Sequence, residues 1–407
     1  MNWSHFNYQE LQPSGFMYAG ISAGLKDSKT KDLALIVAPQ DSICSGVFTQ
    51  SIVRAPCVEI SSQRIKKSYG NIRAILINSG HANACNGYKG MKDSLMATKV
   101  LSKELDIDEN QILICSTGVI GVPIPMNKLL DNIPLLVDSL TKNNFVSASE
   151  AILTTDLKPK RVAIETSIDG RDIKIAAFAK GSGMISPNMA TMLSFLTCDV
   201  GVERYLWDEM IKDAAQLSFN AISVDGETST NDSFIAINSG SKINNKYLPI
   251  LQEGINYVCQ NLAKSIVRDG EGSNCLLEVF VTGMKTYSEA LKIAKSIINS
   301  SLVKTAIHGC DPNWGRIIAA AGNAGIDFCY EKTDLYIGDF KILSKGEIQD
   351  YPKERIIKYM KEKMNGAYLI DDTIKITLNF NNGNHHATAW GCDLSKEYIE
   401  INSEYTT

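Results

Sequence analysis

The chain has 407 residues, of which 44% are hydrophobic and 21% charged, and this composition is typical of a folded globular protein. This length is more than one ordinary core needs, so we expect two domains or one large layered domain. With 41 basic and 45 acidic residues the formal net charge is −4, which gives no electrostatic case for nucleic acid or an anionic membrane as partner. Small molecules are the expected partners.

The cysteines and the N-terminus indicate the compartment. The 10 cysteines are scattered without a C-x-x-C pair, a pattern that favours a reducing compartment and does not suggest a zinc site. The first residues have neither the basic nor the apolar segment of a secretory signal, and no apolar run reaches the roughly 18 residues of a membrane helix. We therefore expect a cytoplasmic protein without a bound metal.

The first third of the chain predicts a buried sheet with polar strand ends. Short apolar runs predict strands at residues 33–38, 45–49, 74–78 and 111–115. Hydrophobic spacing predicts an amphipathic helix at 90–105. His81 follows the third strand and is either a base or a structural hydrogen-bonding residue. Thr117 and Gly118 follow the fourth strand, where a hydroxyl and an unobstructed N–H could bind an oxyanion or form a plain turn.

A hairpin leads to the most informative stretch of the sequence. Asp169-Gly170 predicts a tight turn between strands at residues 161–166 and 173–179. The second of these strands continues directly into residues 180–193, KGSGMISPNMATML. Its glycines and its Ser-Pro step predict irregular backbone just beyond the sheet.

Thr191 in this stretch is a candidate N-terminal nucleophile. A threonine that begins its own chain carries a base in its α-amine, which titrates near ~8. For that amine to exist, the Ala190–Thr191 bond must be cut, and the small Ala190 leaves room for the hydroxyl to attack the preceding carbonyl. Taken alone, the stretch also fits an ordinary glycine-rich loop before a buried strand.

The second half of the chain alternates helices and strands. Helices are predicted at residues 126–140, 207–217, 251–267 and 290–302, and strands at 276–281, 374–380 and 385–390. The acidic loop 223–233 fails the spacing of a calcium loop, so we do not expect a metal there. Loop 305–316 could position a substrate or cap a helix, and we favour capping. A new helix-and-strand series begins after Gly283, which predicts a domain boundary there.

Seven segments taken together closely resemble the glutamate N-acetyltransferase (ornithine acetyltransferase) family of the cyclic arginine pathway. They are Asn78–Ala84, Ser116–Gly121, Thr154–Asp156, Lys180–Leu193, Asp269–Gly272, His308–Arg316 and Asn402–Thr407. The resemblance implies an α/β (α+β) fold with an αββα-layered core similar to N-terminal-nucleophile hydrolases. It also implies a self-cleaved precursor with an α chain of residues 1–190, a β chain whose residues 191–283 complete the core, and a smaller C-terminal domain at 284–407. Two α and two β chains would assemble into a heterotetramer.

The resemblance also assigns residue roles. Thr191 corresponds to the nucleophile, Thr117 and Gly118 to the oxyanion hole, and the Ala190–Thr191 bond to the cleavage site. The substrate contacts correspond to Thr154, Lys180, Thr191, Glu271, Asn402 and Thr407. A lysine suits an α-carboxylate and a glutamate suits an amine. One departure is visible, since Ser273-Asn274-Cys275 occupies positions where the family usually has Ala-Thr-Lys.

The activity implied is transfer of an acetyl group from N-acetylornithine to glutamate through an acetyl-threonine enzyme, without a cofactor. Some family members also accept acetyl-CoA, which would add a second activity. Two alternatives stay open. An aminopeptidase or amidase of the related N-terminal-nucleophile type would use water as acceptor, and a binding or scaffold protein would never cleave itself.

Overall fold

The computed structural model describes residues 3–7, 12–186 and 192–404. The chain divides into two compact units. The N-terminal unit comprises Met1–Gly181, Pro187–Asn220 and Thr228–Leu262, and the C-terminal unit comprises Ser182–Ser186, Ala221–Glu227 and Ala263–Thr407. Each unit contains its own sheets and helices, so the mixed α/β class predicted from the sequence is confirmed.

The described part of the N-terminal unit contains two sheets. Its strands are β1 (Ser4–His5), β2 (Met17–Ile21), β3 (Leu33–Val37), β4 (Ile43–Phe48), β5 (Ala74–His81), β6 (Ile112–Val119), β7 (Lys160–Ile168), β8 (Arg171–Lys180), β9 (Leu193–Cys198) and β10 (Ser233–Asn238). The six-stranded sheet has the order β1-β7-β8-β9-β10-β4, and the four-stranded sheet has the order β2-β3-β5-β6. Its helices are α1 (Pro56–Lys67), α2 (Gly87–Leu105), α3 (Met126–Asp131), α4 (Ile133–Asp138), α5 (Phe145–Ala151), α6 (Arg204–Gln216) and most of α7 (Leu248–Arg268).

The two sheets of this unit pack face to face. One core cluster joins Phe178 and Phe195 of the six-stranded sheet to Ile36 and Ile77 of the four-stranded sheet. A second cluster places α1 and α2 on the other face of the four-stranded sheet. On the other face of the six-stranded sheet, the Trp207 indole of α6 donates to a β10 carbonyl at 3.1 Å. Alternate residues of each strand therefore serve different layers, and the αββα layering is confirmed.

In its described residues the C-terminal unit has one sheet and five α-helices of its own. Its strands are β11 (Leu276–Met284), β12 (Asp334–Ile337), β13 (Phe340–Ser344), β14 (Glu347–Ile348), β15 (Thr373–Asn379) and β16 (His385–Cys392), in the order β14-β13-β12-β15-β11-β16. Its helices are α8 (Tyr287–Asn299), α9 (Ser301–His308), α10 (Trp314–Gly322), α11 (Lys353–Met364) and α12 (Lys396–Ser403). A capping box of Thr286 and Glu289 begins α8.

The last passage of the chain from one unit to the other falls within α7, between Leu262 and Ala263. Strand β11, which the sequence placed in the first domain, lies in the C-terminal sheet, parallel to β15 and antiparallel to β16. Periodicity marks where a strand begins but not which sheet it joins, because pairing partners are distant in sequence. The single helix predicted at 126–140 is two short helices, since Pro134 begins a new helix at its first turn.

Two further features bear on the compartment and on metals. No helix in the described ranges is long and apolar enough to cross a membrane. The 10 cysteines, which all lie in those ranges, are free thiols. Within residues 3–7, 12–186 and 192–404, His, Cys, Asp and Glu side chains form no group of three that could hold a metal ion.

Candidate active site

The ends of β5 and β6 form a rigid polar edge in the N-terminal unit. The strands are parallel, so their carboxyl ends meet, and Gly80 pairs with Gly118. Inside this edge the Ser116 hydroxyl donates to the Asn78 side-chain oxygen at 2.7 Å. The Asn78 amide in turn donates to the His81 carbonyl at 3.0 Å. Buried hydrogen-bonded side chains of this kind fix the direction of the neighbouring backbone.

Gly118 has a backbone conformation that only glycine adopts easily, with φ of +131°. A Cβ atom there would lie 2.5 Å from the His81 nitrogen and closer still to the Gly80 carbonyl group. The neighbouring Thr117 is only 9% exposed, and its hydroxyl oxygen lies 3.3 Å from the Lys180 ammonium at the end of β8. The structure therefore brings together three residues that the sequence proposed, Thr117, Gly118 and Lys180.

Asp156 organises the other side of this cluster. Its carboxylate accepts hydrogen bonds from the Lys160 ammonium at 2.6 Å, the Gly181 N–H at 2.7 Å and the Thr154 N–H at 3.0 Å. Thr154 and the end of β8 are thereby joined through one buried group. Although burial opposes it, the charges of Lys160 and Lys180 hold the pKa of Asp156 well below its usual range. Sequence reasoning recognised the Thr-Thr-Asp motif but not this role, because Lys160 and Gly181 meet Asp156 only in the fold.

Replacing Asp156 by asparagine is expected to destabilise the protein by about 3–5 kcal/mol at pH 7, because the buried Lys160 ammonium then loses the carboxylate with which it forms an ion pair. The folded-state pKa lies below the unfolded value near ~3.9, so this stabilisation is present above that pH and is lost as the pH falls below it. Urea unfolding should therefore show a gap between wild type and variant that narrows below about pH 4.

The matched control for this prediction is Glu362→Gln, which removes the acid of an i,i+4 ion pair with Lys358 of the same spacing but on the surface. Exposed pairs of this kind contribute little, so the control should unfold like wild type. An Asp156→Asn variant as stable as this control would contradict the role given to Asp156.

The loop before β10 is hydrogen-bonded to the chain at the ends of β5 and β6. The Asn231 amide donates to the Ala82 carbonyl at 2.6 Å and to the Ser116 carbonyl at 2.8 Å. These bonds hold the loop against the ends of β5 and β6. The sequence marked this segment only as polar and acidic, and nothing in its spacing indicated these partners.

His81, predicted to be either a base or a structural residue, is the last residue of β5. Burial lowers the pKa of its imidazole, which favours the neutral ring. Its Nδ1 atom is buried and has no hydrogen-bond partner within the described residues. In the strand register His81 pairs with Thr117 and Val119, and both roles predicted for it, base and structural residue, stay predictions.

The C-terminal unit brings Glu271 and Asn402 together. The Asn402 amide of α12 donates to the Glu271 carboxylate at 2.9 Å, and Glu271 is only 8% exposed. The Glu271 N–H donates to the Ser182 carbonyl at 3.2 Å. A Cβ at Gly183 would lie 2.5 Å from the same carboxylate, so glycine is needed there for close approach. One hydrogen bond thus joins two of the predicted substrate contacts.

Asp225 fixes the rest of segment 182–186 within this unit. Its carboxylate accepts from the Met184 N–H at 2.6 Å and the Ile185 N–H at 2.8 Å. Burial raises the pKa of Asp225, and these backbone donors oppose that shift. The segment that leads toward the predicted cleavage site is therefore held by hydrogen bonds at Ser182, Met184 and Ile185.

Of the predicted loop 305–316, residues 305–308 are the last turn of α9 and residues 309–313 connect it to α10. This connection caps α10, the role favoured from the sequence. The Asn313 side chain accepts from the Arg316 N–H and begins α10 at Trp314. The His308 ring lies 2.8 Å from the Asp393 carboxylate. Asp393 also accepts from Asn274 and from the Cys275 N–H. The segment that departs from the usual family pattern is therefore well bonded locally.

Three predicted residues lie outside the described residues. These are Ala190, Thr191 and Thr407. The other predicted site residues fall into two sets, each within one unit. Thr117, Gly118, Thr154 and Lys180 belong to the N-terminal unit, and Glu271 and Asn402 belong to the C-terminal unit.

Relatives of this chain extend over its whole length. It is 65% identical to the "Arginine biosynthesis bifunctional protein ArgJ" of Prochlorococcus marinus subsp. pastoris over 398 residues, 98% of this chain and 99% of that protein. It is 48% identical to "Arginine biosynthesis bifunctional protein ArgJ 1" of Nostoc sp. over 412 residues, with both chains fully covered.

Similar solved structures include an arginine biosynthesis bifunctional protein argJ from Bacillus halodurans, at 37% identity and a TM-score of 0.48, covering 53% of this chain and 100% of that one. Another is the ornithine acetyltransferase of Mycobacterium tuberculosis complexed with ornithine, at 32% identity and a TM-score of 0.42, covering 46% of this chain and 98% of that one. The ArgJ family model matches residues 17–407. This chain therefore belongs to the ArgJ family.

Proposed function

We propose that this enzyme is a glutamate N-acetyltransferase that moves the acetyl group of N2-acetyl-L-ornithine to L-glutamate. The observation that carries the proposal is the meeting of the Lys180 ammonium and the Thr117 hydroxyl beside Gly118, at 3.3 Å, where β8 ends. Residues 181–190 lead from that strand end to Thr191. The Lys180 ammonium can attract an acyl donor that carries a carboxylate. The two donors beside it, the Thr117 hydroxyl and the Gly118 N–H, can stabilise the oxyanion that forms when a nucleophile attacks.

The proposed maturation is a self-cleavage between Ala190 and Thr191. The product would be an α chain of residues 1–190 and a β chain of residues 191–407, with Thr191 at the new N-terminus. Before cleavage the Thr191 nitrogen is an amide without basicity. After cleavage it is an amine that can accept the proton of its own hydroxyl.

Transfer would then run in two half-reactions. The Thr191 hydroxyl attacks the acetyl carbonyl of acetylornithine, its proton moves to the α-amine, and an oxyanion forms. The Thr117 hydroxyl and the Gly118 N–H donate to that oxyanion. When the C–N bond breaks, the proton passes to the leaving nitrogen and ornithine departs. The glutamate amine attacks the acetyl ester by the reverse route and regenerates Thr191. This chemistry needs no cofactor.

The substrate contacts follow from charge. The Lys180 ammonium would bind the α-carboxylate that acetylornithine and glutamate share. The Glu271 carboxylate, held by Asn402, would bind the side-chain amine of ornithine. Thr154 and Thr407 complete the proposed set, with Thr191 in contact with the acetyl group.

We also propose a second acetyl donor, a cellular location and an assembly for this enzyme. The relatives' names describe bifunctional proteins, which supports acetyl-CoA as a second acetyl donor for the same enzyme. Free cysteines support a cytoplasmic location. Two α and two β chains would form a heterotetramer.

Replacing Lys180 by methionine is expected to lower kcat/KM for acetylornithine on the order of 10²-fold, because a buried charge pairing with substrate contributes about 2–5 kcal/mol. Methionine keeps the length of the apolar stem and removes the charge. The control is Lys242→Met, which removes an exposed lysine paired with Glu203. Equal kcat/KM for the two variants would contradict the assignment of Lys180.

A transferase and an aminopeptidase or amidase with the same nucleophile differ in the molecule that accepts the acyl group. Incubation with acetylornithine should produce N-acetylglutamate when glutamate is present and little free acetate. Acetate release at the same rate with and without glutamate would favour the hydrolase. A protein that neither cleaves itself nor releases ornithine would favour the scaffold.

A further inference from the structure

Lys26 carries a half-buried ammonium group that the mechanism above does not use. Its Nζ donates to the Leu153 carbonyl at 3.0 Å, directly before Thr154, one of the proposed substrate contacts. An ammonium has three N–H groups, and within residues 3–7, 12–186 and 192–404 only this one has a hydrogen-bond acceptor. The ammonium also forms no ion pair with a carboxylate of those residues. Lys26 can therefore donate two further hydrogen bonds to an anion.

The loop that carries Lys26 is fixed by a buried carboxylate. Asp32 accepts hydrogen bonds from the N–H groups of Ala23 and Leu25, both at 2.6 Å, and from the Lys26 N–H at 3.0 Å. The Asp32 carbonyl accepts from the Ser79 N–H of β5 at 2.9 Å. The backbone from which the Lys26 side chain starts is therefore joined firmly to β5.

The Lys26 side chain lies against the end of β5. A Cβ atom at Gly80 would be 2.8 Å from the Lys26 Cγ, so the lysine stem packs directly on that glycine. Gly80 pairs with Gly118, the proposed oxyanion donor. The ammonium at the end of the stem reaches the Leu153 carbonyl. Lys26 thus lies beside the oxyanion hole at one end and beside Thr154 at the other.

Lys26 and Lys180 are near enough for their charges to interact. Burial lowers the pKa of Lys26, the charges of Asp32 and Asp156 oppose this shift, and the charge of Lys180 adds to it. Asp156 is already paired with Lys160, and the Asp32 carboxylate accepts backbone N–H groups. Two ammonium groups that repel each other at one edge of the sheet suit a ligand with two carboxylates.

One of the two substrates in the proposed reaction has two carboxylates. Acetylornithine has an α-carboxylate and a side-chain amine, whereas glutamate has an α-carboxylate and a side-chain carboxylate. Lys180 is assigned to the α-carboxylate that both share, and Glu271 attracts the amine of ornithine but repels the side chain of glutamate. Resting on the glutamate N-acetyltransferase function proposed above, we propose that the Lys26 ammonium binds the side-chain carboxylate of the acceptor glutamate.

The preference between two acceptors tests this role. Full-length enzymes supplied with acetylornithine are given L-glutamate or L-glutamine, which has the same shape without the side-chain charge, and kcat/KM is measured for each acceptor. Lys26→Gln keeps an N–H donor for the Leu153 carbonyl and removes the charge. It should lower kcat/KM for glutamate by about 10- to 10²-fold and change that for glutamine much less, so most of the preference for glutamate is lost.

Two further variants at the same position complete the series. Lys26→Met removes the donor as well as the charge and should lose the preference to the same extent. Lys26→Arg keeps the charge and should keep the preference. The ratio of the two kcat/KM values does not depend on the concentration of active enzyme, so a variant that folds in low yield still gives the result.

Lys128→Met is the matched control. The Lys128 ammonium donates to the Gly24 carbonyl at 2.8 Å, in the loop that carries Lys26, and its side chain is exposed. This variant removes a lysine that supports the loop and has no proposed ligand. Its preference for glutamate over glutamine should equal that of wild type.

The outcomes separate this inference from the function on which it rests. If Lys26→Gln keeps the wild-type preference, or loses equal activity with glutamate and glutamine, Lys26 does not bind the side-chain carboxylate, while the transferase function stands. A wild-type enzyme that uses both acceptors equally would also overturn the role of Lys26. If wild type forms no N-acetylglutamate from acetylornithine, the proposed function fails and this inference fails with it.

Discussion

Replacing Thr191 by alanine is expected to leave one uncut chain and to reduce acetyl transfer on the order of 10⁶-fold, as loss of a covalent nucleophile does elsewhere. The effect is large because one residue has two tasks in this account. Its hydroxyl cuts the Ala190–Thr191 bond, and the same hydroxyl then carries the acetyl group. A denaturing gel measures the first task and N-acetylglutamate formation measures the second.

Thr191→Ser is the matched variant, because it keeps a hydroxyl and an α-amine and removes only a methyl group. It should still be cut and should retain measurable transfer. A Thr191→Ala protein with activity comparable to Thr191→Ser would show that another group is the nucleophile.

Replacing Gly118 by alanine should lower kcat by about 10²–10³-fold, the loss typical of one oxyanion donor at 2.7–4 kcal/mol. The φ of +131° is strained for any residue with a Cβ, and that atom would overlap the Gly80 carbonyl. The backbone must shift to relieve the overlap, and the Gly118 N–H turns with it. Because the donor acts on the transition state, KM for acetylornithine should change much less than kcat.

Gly121→Ala is the control for strain alone. Gly121 also has a positive φ, of +80°, but a Cβ there has nothing within 4 Å. The control should lose some stability, about 1 kcal/mol, and keep its kcat. A Gly118→Ala enzyme with the kcat of this control would contradict an oxyanion role for Gly118.

Features set by neighbouring residues could be predicted from the sequence. Asp169-Gly170 predicted the hairpin of β7 and β8, and both residues have the positive φ that a two-residue turn of type I′ requires. The periodic apolar residues at 90–105 predicted α2, which begins three residues earlier, at Gly87. Such signals depend on chemistry within one turn or one strand.

Features set by distant partners could not be predicted. Strand β4 pairs with β10, nearly two hundred residues later, and its sequence gives no sign of that partner. Asp156 looked like part of a polar motif until the fold placed Lys160 and Gly181 against it. The same holds for Asn231, whose amide reaches the end of β6 only after folding. The candidate nucleophile came from the motif and from family resemblance, not from periodicity.

The central claim is that Thr191 becomes the N-terminus of a β chain and carries the acetyl group. Intact mass spectrometry of the wild-type enzyme, incubated with acetylornithine in the absence of glutamate, tests it most directly. The account predicts two chains that meet at Ala190 and Thr191, with one acetyl group on the second chain, located at Thr191 by fragmentation and lost when glutamate is added. A single uncut chain that still transfers acetyl groups, or an acetyl group on another residue, would contradict it.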